Sequence, residues 1–356
     1  MKKILIVNNN LHIGGVQKAL VNLLHEVSGK YEITLLLFSA CGKLLDRVPG
    51  NVRVITPDSP FRWWGLTKED CKDAGSLLRR AFWAGMTRMA GRGMSARAAG
   101  LLQEKIRGFD TAVSFLHSGP PNVFYGGCNE FVLQHVEAGK KVTFLHCDYG
   151  AIHADCRENT KLYGQFDRIA ACSEGCRDSF LRKLPQFSAK TSVVPNCHNY
   201  SEVRTMADAA PVRRKEDRFY IVTVSRFGRE KALLRAIGTI ASLRPEERAK
   251  IRYDIIGSGP EYAQAVRLLR ESGLEDTVVL HGEMENPYGF LRAADVLLIP
   301  SLSEAAPLVI GEAASLGTPI LTTETSSARE MVEQTGWGWV CVNSEEGIRN
   351  GIRQLA

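Results

Sequence analysis

Hydrophobic residues fall into two alternating patterns along this chain. Short unbroken apolar runs, such as ILIV at 4–7 and ITLLLF at 33–38, suit strands covered on both faces. Between them apolar residues recur every three or four positions, the spacing of a helix with one buried face. Through the first half the pattern predicts strands at 3–8, 32–38, 52–56, 111–116, 141–146, 168–171 and 191–194. Helices are predicted at 17–27, 77–107 and 174–184, the second in two pieces given Gly85, Gly91 and Gly93. Strands alternating with helices imply βαβ units and a parallel sheet.

Around residues 206–218 the pattern breaks. MADAAPVRRKEDR is polar, contains a proline and has no apolar period. A linker is therefore expected at 206–217, between an N-terminal domain, 1–205, and a C-terminal domain, 218–356. The alternation then restarts, with strands at 220–225, 252–256, 277–281, 296–300 and 319–322 and helices at 232–243, 261–271, 288–294 and 308–316. A last helix begins near Glu345, and the chain stops inside it. The expected class is α/β, with two Rossmann-like domains built on parallel sheets.

Composition leaves this picture standing. The 356 residues are 44% hydrophobic and 24% charged, a soluble globular balance, and no run is long enough to span a bilayer. Two lysines before ILIV raise the question of a signal peptide, but the apolar core is short and Asn8, Asn9 and Asn10 end it. A cytoplasmic location is the expectation. Nine cysteines, with no C-x-x-C pair, read as reduced and mostly buried thiols. The net charge of +6 is concentrated in one window. Between residues 76 and 107, Arg79, Arg80, Arg88, Arg92, Arg97, Lys105 and Arg107 oppose only Glu104. Charge localised in this way points to an anionic partner.

Four segments can carry chemistry, each where a strand gives way to a helix. Gly14 and Gly15 let the backbone approach a ligand at a helix amino terminus that favours an anion; a plain tight turn explains them equally well. SRFGREK at 225–231 follows the first strand of the second domain. Arg226, a planar fork, and Lys231, a point charge, can reach one diphosphate, although a solvated charged loop is the simpler account. DIIGSGP at 254–260 repeats strand, glycine loop and helix around Gly257 and Gly259. The most specific segment is PSLSEAAPLVIGEAASLGTP at 300–319. Glu304 is placed in the loop after a strand, and Glu312 about two turns into the next helix. Between them Ala306, Pro307, Leu308 and Val309 lie at a helix start whose N–H groups can hold a diphosphate. One carboxylate can then accept from sugar hydroxyls and the other from a ribose.

Together these segments resemble the family-four retaining glycosyltransferases, enzymes of the GT-B fold in which two Rossmann-like domains face each other across a cleft. Glu304 and Glu312 match the family's E-x7-E motif, and Gly14-Gly15 its first glycine loop. Arg226 and Lys231 match its Arg…Lys pair, and Gly257, Gly259 and Pro260 its Gly-x-Gly-Pro loop, all in order over nearly the whole chain. The resemblance implies that Arg226 and Lys231 hold the donor diphosphate, that Glu304 contacts the transferred sugar and Glu312 the ribose, and that the loop near Met284 receives the base. It implies no cofactor, only a nucleotide-sugar co-substrate, a UDP- or GDP-sugar first. The acceptor would be a glycan or a lipid-linked acceptor, in cell-surface or capsular polysaccharide synthesis. Ala232 and Ala305 stand where the family usually has glycine, which puts the local backbone in question.

The first domain is expected to supply the acceptor side. His146 and Asp148 follow a strand and share a face if it continues. They would contact the donor sugar or the incoming hydroxyl, unless one of them caps the next turn. His117 and Ser118 are similar, weaker candidates. No metal site is expected, since the chain has no D-x-D pair and its eight histidines lack ligand spacing. In the basic window Arg79, Arg80, Trp83, Arg88 and Arg92 interleave with Leu and Met. That reads either as a peripheral helix facing an anionic membrane surface or as an ordinary helix with solvated arginines. Nucleic acid is not an expected partner, because no nucleic-acid motif occurs. Two rival readings remain: a nucleotide-sugar epimerase of the same fold, and a non-catalytic nucleotide-sugar-binding subunit that activates a partner transferase.

Overall fold

The computed structural model describes residues 1–214 and 217–356. It divides the chain into two compact units, Met1–Cys197 and His198–Ala356. The division falls ahead of the expected linker. Residues 206–209 of that linker belong to a helix, Tyr200–Ala209, which buries Val203 and Ala207 in the second unit's core. Its apolar face is too narrow to show against the polar residues around it. Residues 215 and 216 of the expected linker lie outside the described residues.

The first unit holds seven strands: β1 (Lys3–Asn8), β2 (Glu32–Leu37), β3 (Arg53–Ile55), β4 (Ile106–Ser114), β5 (Val136–Leu145), β6 (Arg168–Ala171) and β7 (Thr191–Val193). They form one parallel sheet in the order β3-β2-β1-β4-β5-β6-β7. The second unit holds β8 (Phe219–Val224), β9 (Ile251–Ile256), β10 (Val278–Gly282), β11 (Val296–Ile299), β12 (Ile320–Thr323) and β13 (Gly338–Cys341). These are also parallel, in the order β10-β9-β8-β11-β12-β13. The unbroken apolar runs are covered on both faces as their pattern predicts: Leu35, Leu36 and Leu37 are all fully buried.

Each sheet begins in its middle, grows to one side, then crosses to the other. That leaves a switch point between β1 and β4 and another between β8 and β11, where the loops diverge and ligands bind in sheets of this kind. The long helix expected at 77–107 ends earlier. Helices Ala74–Ala90 and Arg92–Ala99 meet at Gly91, whose φ is +81°, and β4 begins at Ile106. Helices Cys128–His135, Arg157–Gly164 and Ala328–Thr335 and strand β13 lie outside the expected pattern. All nine cysteines are free thiols, four buried and five half-buried, so fewer are buried than expected. Among the described residues no helix is long and apolar enough to cross a membrane.

Candidate active site

In the second unit, the loops leaving β8 and β11 bring a lysine and a glutamate together. Lys231 ends a short 3-10 turn, Arg229–Lys231. Its Nζ donates to both oxygens of Glu304, at 2.8 Å each. Glu304 is 9% exposed, and its Oε1 also accepts from Ser301 Oγ at 2.7 Å. An ammonium has three donors, so this contact does not exhaust the lysine, which stays 24% exposed. Arg226 is exposed, and its guanidinium donates to Glu230 at 2.6 Å. Burial acts to raise the Glu230 carboxyl, but its own backbone N–H and the Arg226 charge outweigh it and hold the group below its usual range.

Residues that the sequence reading missed brace the Glu304 loop. Asn343 Nδ2 donates to the carbonyls of Ser301 and Leu302 at 3.2 Å each and of Glu324 at 2.8 Å. Arg235 in turn donates to Asn343 Oδ1 at 2.8 Å. Ser326 Oγ donates to the Glu304 carbonyl at 2.8 Å, and Thr323 Oγ1 to that of Ser301 at 2.6 Å. Thr323, Ser326 and Asn343 all lie at the carboxyl ends of β12 and β13. Only the strand order reveals them as neighbours of Glu304.

Gly257 and Gly259 serve the same loop cluster from the other side. Both have positive φ. A Cβ at Gly257 would lie 1.9 Å from the Ser225 carbonyl oxygen, and one at Gly259 2.6 Å from that of Phe227. Ser225 N donates to Ile256 O and Phe227 N to Ser258 O, both at 2.9 Å. This close approach of two backbones by itself requires both glycines, where the sequence suggested a ligand's approach. The two alanines at glycine positions differ. Ala232 takes φ +51° and ψ +38°, a conformation that costs a residue with a Cβ about 1–2 kcal/mol. Ala305 is not among the positive-φ residues, so nothing there calls for glycine.

Helix Leu308–Ser315 starts after Pro307, which places Glu312 little more than one turn in, not the two expected. Its side chain is buried, 5% exposed. A Cβ at Gly311 would meet Tyr200 Oη at 2.7 Å and His198 Cε1 at 3.0 Å, so the helix lies against residues 198–200. Burial, and then the Glu312 charge, push the Tyr200 phenol up. Leu308 is buried at the helix start, while Ala306, Pro307 and Val309 are half-buried. Met284 packs half-buried on the second unit's core.

In the first unit, β5 ends at Leu145, so the premise that His146 and Asp148 share a strand face fails. The His146 ring stacks on Phe144, with centroids 5.6 Å apart and planes 11° apart, and lies 4.6 Å from Phe115. Its Nε2 is buried with no hydrogen-bond partner. Burial, helped by His117, lowers its pKa to about 3, so the ring is neutral near pH 7. His117, past β4, is alike: Nδ1 is buried and unpartnered, and burial and the Arg92 charge take its pKa to about 4. Asp148 is the turn cap. Its Oδ1 accepts from the backbone N–H of Gly150 at 3.1 Å, that of Ala151 at 3.3 Å, and the Ser179 hydroxyl. Ser118 is buried and bonded to Tyr163 and Asn129. Gly14 caps helix Gly15–Val27 in extended backbone, and Gly15 is exposed with open space where a Cβ would stand.

The basic window divides. Arg92 is fully buried. Its Nε donates to Glu130 at 2.6 Å, Nη1 to the carbonyls of Gly119 and Pro120 at 3.1 Å each, and Nη2 to Asn159 at 2.9 Å. It is an internal structural cation, and the expected membrane role is wrong for it. Arg80 donates to the Leu66 carbonyl at 2.7 Å and lies over the Phe124 ring. Trp83 packs half-buried on the first unit's core. Arg79 and Arg88 remain exposed, beside Leu78, Phe82 and Met89 at 70%, 62% and 85% exposure.

This topology has solved counterparts. Across 99% of this chain the fold matches HepE of Anabaena in complex with UDP and glucose, covering 89% of that chain with a TM-score of 0.67 and 16% identity. At that identity the likeness is one of fold: the chain is α/β, of the GT-B class. Residues 206–356, which hold Arg226, Lys231, Glu304 and Glu312, match the family model Glycosyl transferases group 1. Over 136 residues the chain is 26% identical to N-acetyl-alpha-D-glucosaminyl L-malate synthase of Bacillus anthracis, 38% of this chain and 35% of that protein. Over 128 residues it is 32% identical to the amylovoran biosynthesis glycosyltransferase AmsK of Erwinia amylovora, 34% of this chain and 31% of AmsK. The matches thus span about a third of the length of these two relatives.

Proposed function

We propose that the protein is a family-four retaining glycosyltransferase. It moves a sugar from a UDP- or GDP-sugar to a glycan or lipid-linked acceptor, in cell-surface or capsular polysaccharide synthesis at the cytoplasmic side. One observation carries this reading: Lys231 seated on Glu304 where β8 and β11 diverge, inside the segment that matches a glycosyltransferase family. The UDP and glucose bound to HepE support the donor class, and the role printed for AmsK supports the kind of pathway.

In this mechanism the bond from the anomeric carbon to the donor diphosphate breaks, and its electron pair stays on the phosphate oxygen. Lys231 and Arg226 answer the charge that develops there, so no metal ion is needed. The acceptor oxygen bonds the anomeric carbon on the face the diphosphate leaves, and its proton passes to the departing phosphate oxygen. Configuration is retained. Glu304 orients the lysine and the sugar hydroxyls, Glu312 the ribose, and the backbone of residues 306–309 the phosphates. His146, held neutral, serves as a hydrogen-bonding group for an acceptor hydroxyl; Asp148 keeps the turn.

Thermal unfolding with UDP-, GDP-, ADP- and dTDP-sugars tests the donor site, because a bound ligand raises Tm by mass action. One sugar nucleotide should raise Tm and, with water standing in for the acceptor, be slowly hydrolysed to free sugar and nucleoside diphosphate. No shift with any of them rejects the site, and binding without turnover identifies the non-catalytic subunit.

We also propose that helix Ala74–Ala90 docks on an anionic membrane through Leu78, Phe82 and Met89, flanked by Arg79 and Arg88. Each arginine near such a surface contributes about 1 kcal/mol, and burying a Phe side chain about 1.5–3 kcal/mol. Flotation with phosphatidylglycerol vesicles should weaken in Phe82→Ser and in Arg79→Gln/Arg88→Gln. Equal recovery with neutral and anionic vesicles leaves the helix an ordinary surface element.

A further inference from the structure

Three loops of the first unit bring a histidine, a cysteine and an aspartate to one point. His12 follows β1, Cys41 follows β2, and Asp70 follows the 3-10 turn Pro60–Trp64. His12 Nε2 lies 2.8 Å from Asp70 Oδ2 and 3.7 Å from Cys41 Sγ. The three ligand atoms all lie within 4.8 Å of one another. The His12 side chain is 35% exposed and that of Asp70 16%, so solutes can reach the cluster.

A nucleophilic triad would set the thiol and the carboxylate on opposite ring nitrogens, with the imidazole relaying between them. Here both meet the same nitrogen, Nε2. A relay is excluded, and what remains is convergence on one point, the arrangement a cation needs. We propose that His12, Cys41 and Asp70 bind a zinc ion, with water completing a tetrahedron. One imidazole, one thiolate and one carboxylate suit this borderline-soft ion. Bond lengths of about 2.0–2.3 Å at tetrahedral angles put N and S about 3.5 Å apart and N and O about 3.3 Å apart. The N–S distance already fits. The N–O distance is that of a hydrogen bond, and it opens by about half an ångström when the ion replaces the shared proton.

The backbone around the cluster is locked in advance. Gly42 has φ +108°, and a Cβ there would lie 2.1 Å from the Leu11 carbonyl carbon and 2.2 Å from His12 N. Leu11 N donates to Cys41 O at 2.9 Å and Leu44 N to Leu11 O at 3.0 Å. These bonds clamp the two loops on either side of the His12–Cys41 pair. Asp70 Oδ2 also accepts from the Thr67 N–H at 2.7 Å and its hydroxyl at 2.8 Å, an outer shell that orients a ligating carboxylate. The ion ties the loop after β1, which leads into Gly14 and Gly15, to the loops after β2 and Trp64. It takes no part in departure of the diphosphate, and the inference stands apart from the glycosyltransferase reading. The sequence spacing hid the site, because Cys41 is 29 residues from His12 and Asp70 is 58.

Cobalt is the probe, because a thiolate on Co2+ gives a charge-transfer absorption that an imidazole or carboxylate does not. Chelator-stripped protein should develop that band with one equivalent of Co2+, lose it to Zn2+, and gain Tm with either ion. Cys41→Ala should abolish the band, and Cys41→Ala and His12→Gln should each weaken Zn2+ binding by more than the ~10–100-fold typical of an outer-shell change. Both variants should keep their metal-free Tm, which shows that they fold. A band that persists in Cys41→Ala overturns the site, since the other eight cysteines would then supply the thiolate. No band in the parent protein at saturating Co2+ overturns it equally.

Discussion

The two sheets share one strand order over six strands, β7 being the first sheet's addition, yet their switch points are furnished in opposite ways. Between β8 and β11 stands an ion pair, Lys231 on Glu304, with Ser301 satisfying the carboxylate further. Around β1, β4 and β5 stand neutral polar atoms with no partner: both side-chain atoms of Asn8, His117 Nδ1 and His146 Nε2. A buried polar atom left unpaired costs about 1–3 kcal/mol. A desolvated ion pair persists only where its geometry is good and its remaining lone pairs are met. Under the proposed function, the charged switch point meets the anionic diphosphate through Lys231, and the neutral one an uncharged, hydrogen-bonding group such as a hydroxyl.

The largest effect expected from this contrast is at the ion pair. Lys231→Ala removes the cation that would meet the leaving diphosphate, and turnover should fall by about 10²–10³-fold, the scale of losing one preorganised charge-stabilising donor. Glu304→Gln keeps the shape and should cost turnover while free nucleoside diphosphate still binds. Glu312→Gln should show the reverse, weaker binding of the free nucleotide. Steady-state kinetics beside calorimetry separate the two. Turnover unchanged in Lys231→Ala would make the charge at this switch point merely structural.

A middle-sized effect separates the units by pH. His146 and His117 titrate near 3 and 4 in the folded protein, against an ordinary value near 6.5. Their folded pKa values are lowered, so the unfolded chain takes up protons first as pH falls. The associated stability is full above pH 6.5 and is lost progressively below it, by about 2 kcal/mol per histidine at pH 5. The second unit's buried acid behaves differently. Burial acts to raise Asp254, but hydrogen bonds from His281, Arg252 and Tyr220 outweigh it and hold the carboxyl low. That contribution is lost only as pH falls below the ordinary carboxylate range. Mild acid should therefore loosen the first unit before the second in urea titrations at pH 7.5 and 5. His146→Gln should flatten the pH dependence, and an unchanged slope would show that the ring is already protonated or solvated.

The same contrast explains what the chain disclosed in advance. Chemistry in the second unit was legible because it is local in sequence: Glu304 and Glu312 sit on one strand–loop–helix segment, and β8 carries its lysine a few residues on. The bounds of β1 and β6 could be read directly, since four apolar residues or nearly so lie in unbroken runs there. Arg92 was misread because its partner Glu130 is 38 residues away, and a pattern that counts charge cannot see which arginine turns inward. Gly257 and Gly259 were read as space for a ligand because nothing local shows the Ser225–Phe227 backbone lying against them. Asp148 is indistinguishable in sequence from a catalytic carboxylate until β5 is seen to end before it.

The smallest expected effect lies between two alanines of the second switch point. Ala232 joins Lys231 to helix Leu233–Ala241 in left-handed backbone, a strain of about 1–2 kcal/mol. Ala232→Gly relieves it. The glycine also gives the unfolded chain extra freedom worth about 0.4–1 kcal/mol, and it deletes a methyl that is 8% exposed, about 0.8 kcal/mol. These terms nearly cancel, so Tm should move by no more than about 3 °C. Ala305→Gly loses the same entropy and a methyl equally buried but has no positive φ to relieve. It should be destabilised by about 1–2 kcal/mol. Differential scanning calorimetry of the two variants decides the matter. Equal losses would mean that Ala232 carries no strain; a loss confined to Ala305→Gly shows that the turn after Lys231 keeps its left-handed shape at the expense of its own alanine, in a loop whose lysine must stay on Glu304.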